Sequence, residues 1–369
     1  MAEAKEDKEG STKIRELKSD GSRITILLQD GFGVKHKACK NPFYIMATVN
    51  GEKNAPGEID LYLRQQNCGL WNAWACQGLS KDEKDDLKKT YTDLTIPDWT
   101  EDLQKAVNDA FAERLPGGSV PDHNSVIDFK GTNFERAVGF SGFLFLKYAD
   151  FRGAQVMEVA DFMYAQFTEE IHFSYAQFKE GAYFMHAQFT KGASFSDAQF
   201  KEGAHFSSSR FEAHSYFQQA IFSKALDFTD ASFAQPANFR GARFEKYYPI
   251  LEGTNLHGKT TLTAQPKYWP KATDHSQYEG ANTPTLESAA AGCAHLRHNM
   301  TAQGLPDDAH FFFRREMGCK LAMAGGVKKL PLWLYGKLSD YGYSYGRPLR
   351  WLIQLWLVWT LVYTPYFLS

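Results

Sequence analysis

Cysteine is scarce: five residues, at 39, 68, 76, 293 and 319, with no Cys-x-x-Cys spacing. Reduced cytosolic thiols are the expectation, with a redox pair of Cys68 and Cys76 as the lesser alternative to two buried thiols. The start, MAEAKEDKEG, is charged and has no apolar signal stretch, so residues 1–20 are expected to be a disordered tail. Net charge is also missing: −2 over 369 residues gives no global attraction to nucleic acid. No P-loop, dinucleotide fingerprint or His-Glu-x-x-His is present, and GFGVKH at 31–36 lacks the third glycine and reads as a turn. His295, His298 and His310 are the nearest approach to a metal trio, without an acidic or Cys ligand at matching spacing. His172 and His205 read as isolated residues on a solvated face. The expectation is therefore no catalytic residue, no cofactor and no metal, so not an enzyme.

What the chain does have is phenylalanine on a strict period. Positions 129, 140, 151, 162, 173, 184, 195, 206, 217, 228 and 239 are all Phe. A second series runs from 134 to 244 in steps of eleven and is Phe throughout except Val156. The two interleave as alternating five- and six-residue steps. From Phe162 to Phe244 the residue two before each Phe is Ala twelve times in sixteen. Residues two apart share a face of a strand, so each unit puts a small and a large side chain inward together. Five-residue spacing drifts around a helix and leaves no continuous apolar stripe. Four corners close a coil of two repeats, 22 residues long, and five such coils make the expected rod. The extra residue of the six-residue step is Gly181, Gly192 or Gly203 in the middle copies, which suggests corner bulges. The expected outward positions include Gln166, Gln177, Gln188 and Gln199, with Tyr183, His205 and Tyr216 nearby.

The Ala-x-Phe units at 160–162, 165–167, 176–178, 187–189 and 198–200 resemble the pentapeptide-repeat family, in a Phe-rich variant. The resemblance covers about 126–262 and implies a right-handed four-sided β-helix with Ala and Phe inward. Some relatives imitate DNA and bind type II topoisomerases. The 15 acidic and 13 basic residues of this segment lack the acidic density such mimicry needs. Others carry a channel region after the repeats, which this sequence could supply only by oligomerisation or in a longer chain. An unrecognised enzyme in the N-terminal region is a further alternative.

Around the solenoid, residues 21–125 read as a small α+β domain. SRITILL, FYIMATV and EIDLYLR look like strands, SKDEKDDLKKTY like a capped helix, and a second helix opens at Thr100. Residues 263–284 read as a linker and 285–326 as a helical hairpin, followed by a juxtamembrane segment over 327–349. DDAHFFFRREM and LYGKLSDYGYSYGRPLRWL resemble the C-terminal region of membrane-attached pentapeptide-repeat proteins. The uncharged run over 351–368, rich in Trp and Tyr, suggests a transmembrane helix over 350–368. Lys328, Lys329, Lys337, Arg347 and Arg350 precede it, placing the bulk of a single-pass chain in the cytoplasm. The resulting expectation is a mainly β, non-catalytic, membrane-tethered scaffold. It takes an unidentified protein partner and a membrane, rather than nucleic acid or a small-molecule substrate.

Overall fold

The computed structural model describes residues 14–17, 23–26, 36–52, 58–91, 94–270 and 284–367. The Ala-x-Phe units form strands of two or three residues, from Ile127–Asp128 to Thr261–Leu262. Each pairs in parallel with the equivalent strand one coil on: Ala160 with Ala182, and Ala182 with Ala204. Four sheets follow in turn along the chain. Side one begins at Ile127–Asp128, side two at His36–Lys37 and Thr132–Phe134, side three at Val138–Gly139 and side four at Leu144–Phe145. Sides one and two have seven strands, and sides three and four have five. The rod is longer than the expected five coils. The Phe series does not count His36–Lys37, which adds a strand to side two, or Thr261–Leu262, which adds one to side one.

The interior is filled by four phenylalanine columns. Phe162 lies 5.0 Å from Phe184 in its own column and 5.3 Å, edge-on, from Phe173 across the rod. Phe173 and Phe195 stack at 5.1 Å, and Phe195 and Phe217 at 5.0 Å. Stacking within columns and edge contacts between them are the two arrangements the ring quadrupole favours. The alanines are fully buried between the columns, so the interior has no lumen.

The corners differ from the bulges expected at Gly181, Gly192 and Gly203. Positive φ falls inside the five-residue steps, two residues after each Phe of the first series. The positions are Gly131, Gly142, Gly153, Tyr164, Tyr175, His186, Asp197, Ser208, Gln219, Asp230 and Gly241. A five-residue step has less chain with which to turn, so it uses the left-handed conformation even where the residue is not glycine. Gly181 and Gly203 serve a different purpose. A Cβ on Gly181 would sit 2.8 Å from the Tyr183 hydroxyl, and one on Gly203 would sit 2.5 Å from His205 Nε2. Both glycines leave room for an aromatic ring folded back over the backbone.

Helices close both ends. At the N-terminal end they are α1 (Pro42–Ala47), α2 (Leu61–Ala75), α3 (Lys81–Thr90) and α4 (Glu101–Arg114). FYIMATV is therefore helical rather than a strand: the Asn41 side chain accepts the Phe43 and Tyr44 N–H groups and Pro42 occupies the first turn. EIDLYLR likewise leads into α2, because Asp60 caps the Tyr62 and Leu63 N–H groups. The α3 capping box of Ser80 and Glu83 is present. Part of SRITILL, Arg23–Ile26, is a strand, paired antiparallel with Ile14–Leu17 inside the expected tail; residues 1–13 lie outside the described residues.

At the other end are α5 (Leu286–Ala302), α6 (Pro306–Met323), α7 (Lys329–Ser339) and α8 (Gly346–Phe367). The expected linker at 263–284 begins as part of the cap. Trp269 is buried, 4.5 Å from Phe244 and 4.8 Å from Phe312, and 271–283 lie outside the described residues. Gly292 brings α5 against the last coil, where a Cβ would lie 2.5 Å from the Pro249 carbonyl oxygen.

The expected transmembrane helix over 350–368 is corrected. The segment is helical as far as Phe367, residue 368 lying outside the described residues, but among the described residues no helix is long and apolar enough to cross a membrane. Its indoles and phenols carry polar groups, Gln354 and Thr360 interrupt the aliphatic residues, and Arg347 and Arg350 occupy its first turns.

Candidate interaction surface

The middle residue of each Ala-x-Phe strand points away from the filled interior, so the outer faces carry the polar side chains. Side three carries Asp161, Tyr183, His205 and Asp227 in register, of which Asp161 is buried beneath Arg64 and the other three are half-buried. Tyr183 and His205 stack at 5.1 Å, almost parallel. Burial holds the His205 imidazole below its ordinary pKa, with Asp227 working the other way. Side one carries His172, Ser194 and Tyr216. Tyr148 and His172 lie 5.3 Å apart, and burial also lowers the pKa of His172. A hydroxyl chain passes through Ser194 of this ladder: Ser174 Oγ to Ser194 Oγ at 2.8 Å, Ser194 to Ser196 at 3.3 Å, and Ser196 to Gln218 Oε1 at 3.0 Å. At the corner between sides three and four, Tyr164 and His186 stack at 4.7 Å.

Of the four glutamines expected to face outward, Gln177, Gln188 and Gln199 are half-buried and Gln166 is buried. The N-terminal region lies along side four. Outside the rod Leu144 packs with Cys76 and Ile96, and the Tyr91 hydroxyl is 3.3 Å from Thr190 Oγ1. Gln166 sits in the same side, paired with Leu144 and Gln188. The periodic pattern reports which residues leave the interior, not what a distant segment lays over them. Sides one and three thus keep the aromatic and histidine ladders, while side four is partly covered.

The same region satisfies the edge of the first coil. The Leu144 N–H donates to Asn72 Oδ1 at 2.8 Å, Trp71 Nε1 donates to the Leu144 carbonyl at 2.9 Å, and Asn72 Nδ2 donates to the Gly142 carbonyl at 3.2 Å. Asn41 Nδ2 donates to the Asp128 carbonyl at 2.9 Å. Arg64 pairs with the buried Asp161 at 2.8 Å. Burial pushes the Asp161 carboxyl up, against the Met163 N–H and Arg64. A recess at this junction is lined by Tyr44, Glu52, Asp60, Arg64 and Arg136 and encloses about 40 Å³. That is far below the roughly 300 Å³ at which small-molecule pockets begin.

Cys68 and Cys76 are free thiols, each pushed up to about 11 by burial, which leaves little thiolate for redox chemistry at neutral pH. Among the described residues no group of three or more His, Cys, Asp or Glu is placed to hold a metal. His295 and His298 stay on α5, while His310 stacks on Tyr343 at 4.0 Å.

The family model described as Pentapeptide repeats (9 copies) matches residues 173–221 and 217–264. No curated protein and no solved structure matches the chain. The parallel register runs from Ile127 to Leu262 through the matched residues, and the part of this solenoid from 173 onward is a run of pentapeptide repeats.

Proposed function

We propose that the chain is a non-catalytic scaffold: a filled pentapeptide-repeat rod that takes a protein partner on sides one and three and is attached to a membrane by its C-terminal helices. The observation that carries this reading is the contrast between inside and outside. The interior is packed with Phe and Ala, leaving no cleft for a substrate. The outer ladders instead combine flat aromatic rings with hydrogen-bonding groups held on a stiff backbone, as at Tyr183–His205 and Ser196–Gln218. Tyr and His in such settings supply contact area at low entropic cost. The attachment half rests on the exposed aromatic surface of α7 and α8.

Affinity capture with the full chain and with a Tyr183→Ala/His205→Ala/Tyr216→Ala variant tests the scaffold. The variant is expected to remain folded and to lose the partner captured by the natural chain. Unchanged capture, or robust turnover in hydrolase and nucleotide assays, contradicts the reading.

A further inference from the structure

Residues 327–363 have the most exposed apolar surface of the described chain. No side chain of α7, nor of α8 up to Tyr363, is buried. Leu352 is 62 % exposed, Trp356 63 % and Leu361 74 %. A contiguous surface of this kind marks a binding face. Its charge is as one-sided as its polarity: five cations, Lys328, Lys329, Lys337, Arg347 and Arg350, against the single carboxylate of Asp340. That carboxylate is already engaged, 3.4 Å from Arg347 and 3.5 Å from Arg314. A second copy of the chain would bring this basic surface against itself. A neutral apolar partner would leave the cations unanswered.

Resting on the membrane-attachment reading above, we propose that α7 and α8 form an in-plane anchor for an anionic phospholipid surface. Trp and Tyr rings enter the headgroup boundary, and Lys328, Lys329, Lys337 and Arg350 meet lipid phosphates. Two further features fit this geometry. No described helix is long and apolar enough to cross, so the apolar residues have an interface rather than a hydrocarbon core to occupy. The α7–α8 segment is also fixed to α6 rather than hanging free. His310 stacks on Tyr343, Phe313 meets Tyr341 edge-on at 6.2 Å, and Arg314 of α6 lies 3.5 Å from Asp340. The rod would then stand in a set orientation on the bilayer.

Flotation of the full chain with vesicles of phosphatidylcholine alone, and of phosphatidylcholine mixed with phosphatidylglycerol, tests this. Each cation near an anionic surface contributes about 1 kcal/mol, so three or four of them give a preference on the order of a hundredfold or more for the mixed vesicles, reduced by salt. Lys328→Gln/Lys329→Gln/Lys337→Gln is expected to remove most of that preference while circular dichroism stays unchanged. Equal flotation on both vesicles overturns the anionic partner and leaves attachment standing. Flotation on neither overturns both readings. Tryptophan quenching by lipids brominated at graded depths supplies the geometry. Uniformly shallow quenching supports the in-plane anchor, and a depth that increases along α8 overturns it.

Discussion

Seven residues of the solenoid that are not glycine hold left-handed backbone, and each carries strain on the order of 1 kcal/mol. Ser208 is one of them. Ser208→Gly should raise the urea midpoint by an amount corresponding to roughly 0.5–1 kcal/mol, net of the extra chain entropy of glycine. Adding a Cβ at Gly203 tests the opposite role. Gly203→Ala should displace His205 and separate it from Tyr183, because the new methyl takes the space of the imidazole. His205 also gives the fold a pH dependence whose sign is fixed. Burial holds its folded pKa below the ordinary value of about 6.5. The unfolded chain therefore binds the proton more readily, and stability declines as pH falls below about 6.5 towards the folded pKa. An NMR titration of His205 should show the lowered pKa in the natural chain and a rise towards the ordinary value in Gly203→Ala. A pKa already at the ordinary value in the natural chain contradicts burial of the ring.

The short strands gain their stability by stacking, and the exposed edge of the first coil has to be satisfied by something else. Asn72 of α2 does this with both ends of its amide, reaching Leu144, Gly142 and Thr95. Asn72→Ala should cost about 2–3 kcal/mol by leaving buried backbone groups unpaired, and hydrogen exchange should increase first at Leu144. An unchanged denaturation midpoint contradicts the capping role. This element shows where the sequence was readable. The 11-residue Phe period is local and repeated, so the four sheets, their 22-residue register and the inward columns follow from it. The caps are neither repeated nor local. FYIMATV and EIDLYLR have strand-like apolar content, but Asn41 with Pro42, and Asp60, decide for helix by capping. Phe43 and Trp71 are apolar because they close the rod, at 6.1 Å from Phe129 and 5.4 Å from Phe143. The glycines at 181 and 203 were legible as special but not as seats for rings, since that depends on where Tyr183 and His205 fold back. For the interaction surface, the ladder positions could be read from the period. The covering of side four could not, because it arises from distant residues, such as Tyr91 beside Thr190, 99 positions apart in the chain.

At the scale of the whole molecule, a filled and stiff rod is closed at both ends, with near-balanced charge along its length and a basic aromatic hairpin at one extremity. Near-neutrality removes the dense acidic field that imitation of DNA requires. A packed interior leaves recognition to the outside. Sides one and three are therefore the proposed working surface. Site-specific photo-crosslinking tests it most directly. A photoreactive phenylalanine analogue is placed in the full chain at Tyr183, at Tyr216 or at Arg136 on the rim of the recess, and the chain is irradiated in its native extract. Discrete protein adducts from positions 183 and 216, absent or weaker from 136, are expected of a partner held on sides one and three. Adducts from position 136 alone would contradict it and move function to the N-terminal recess.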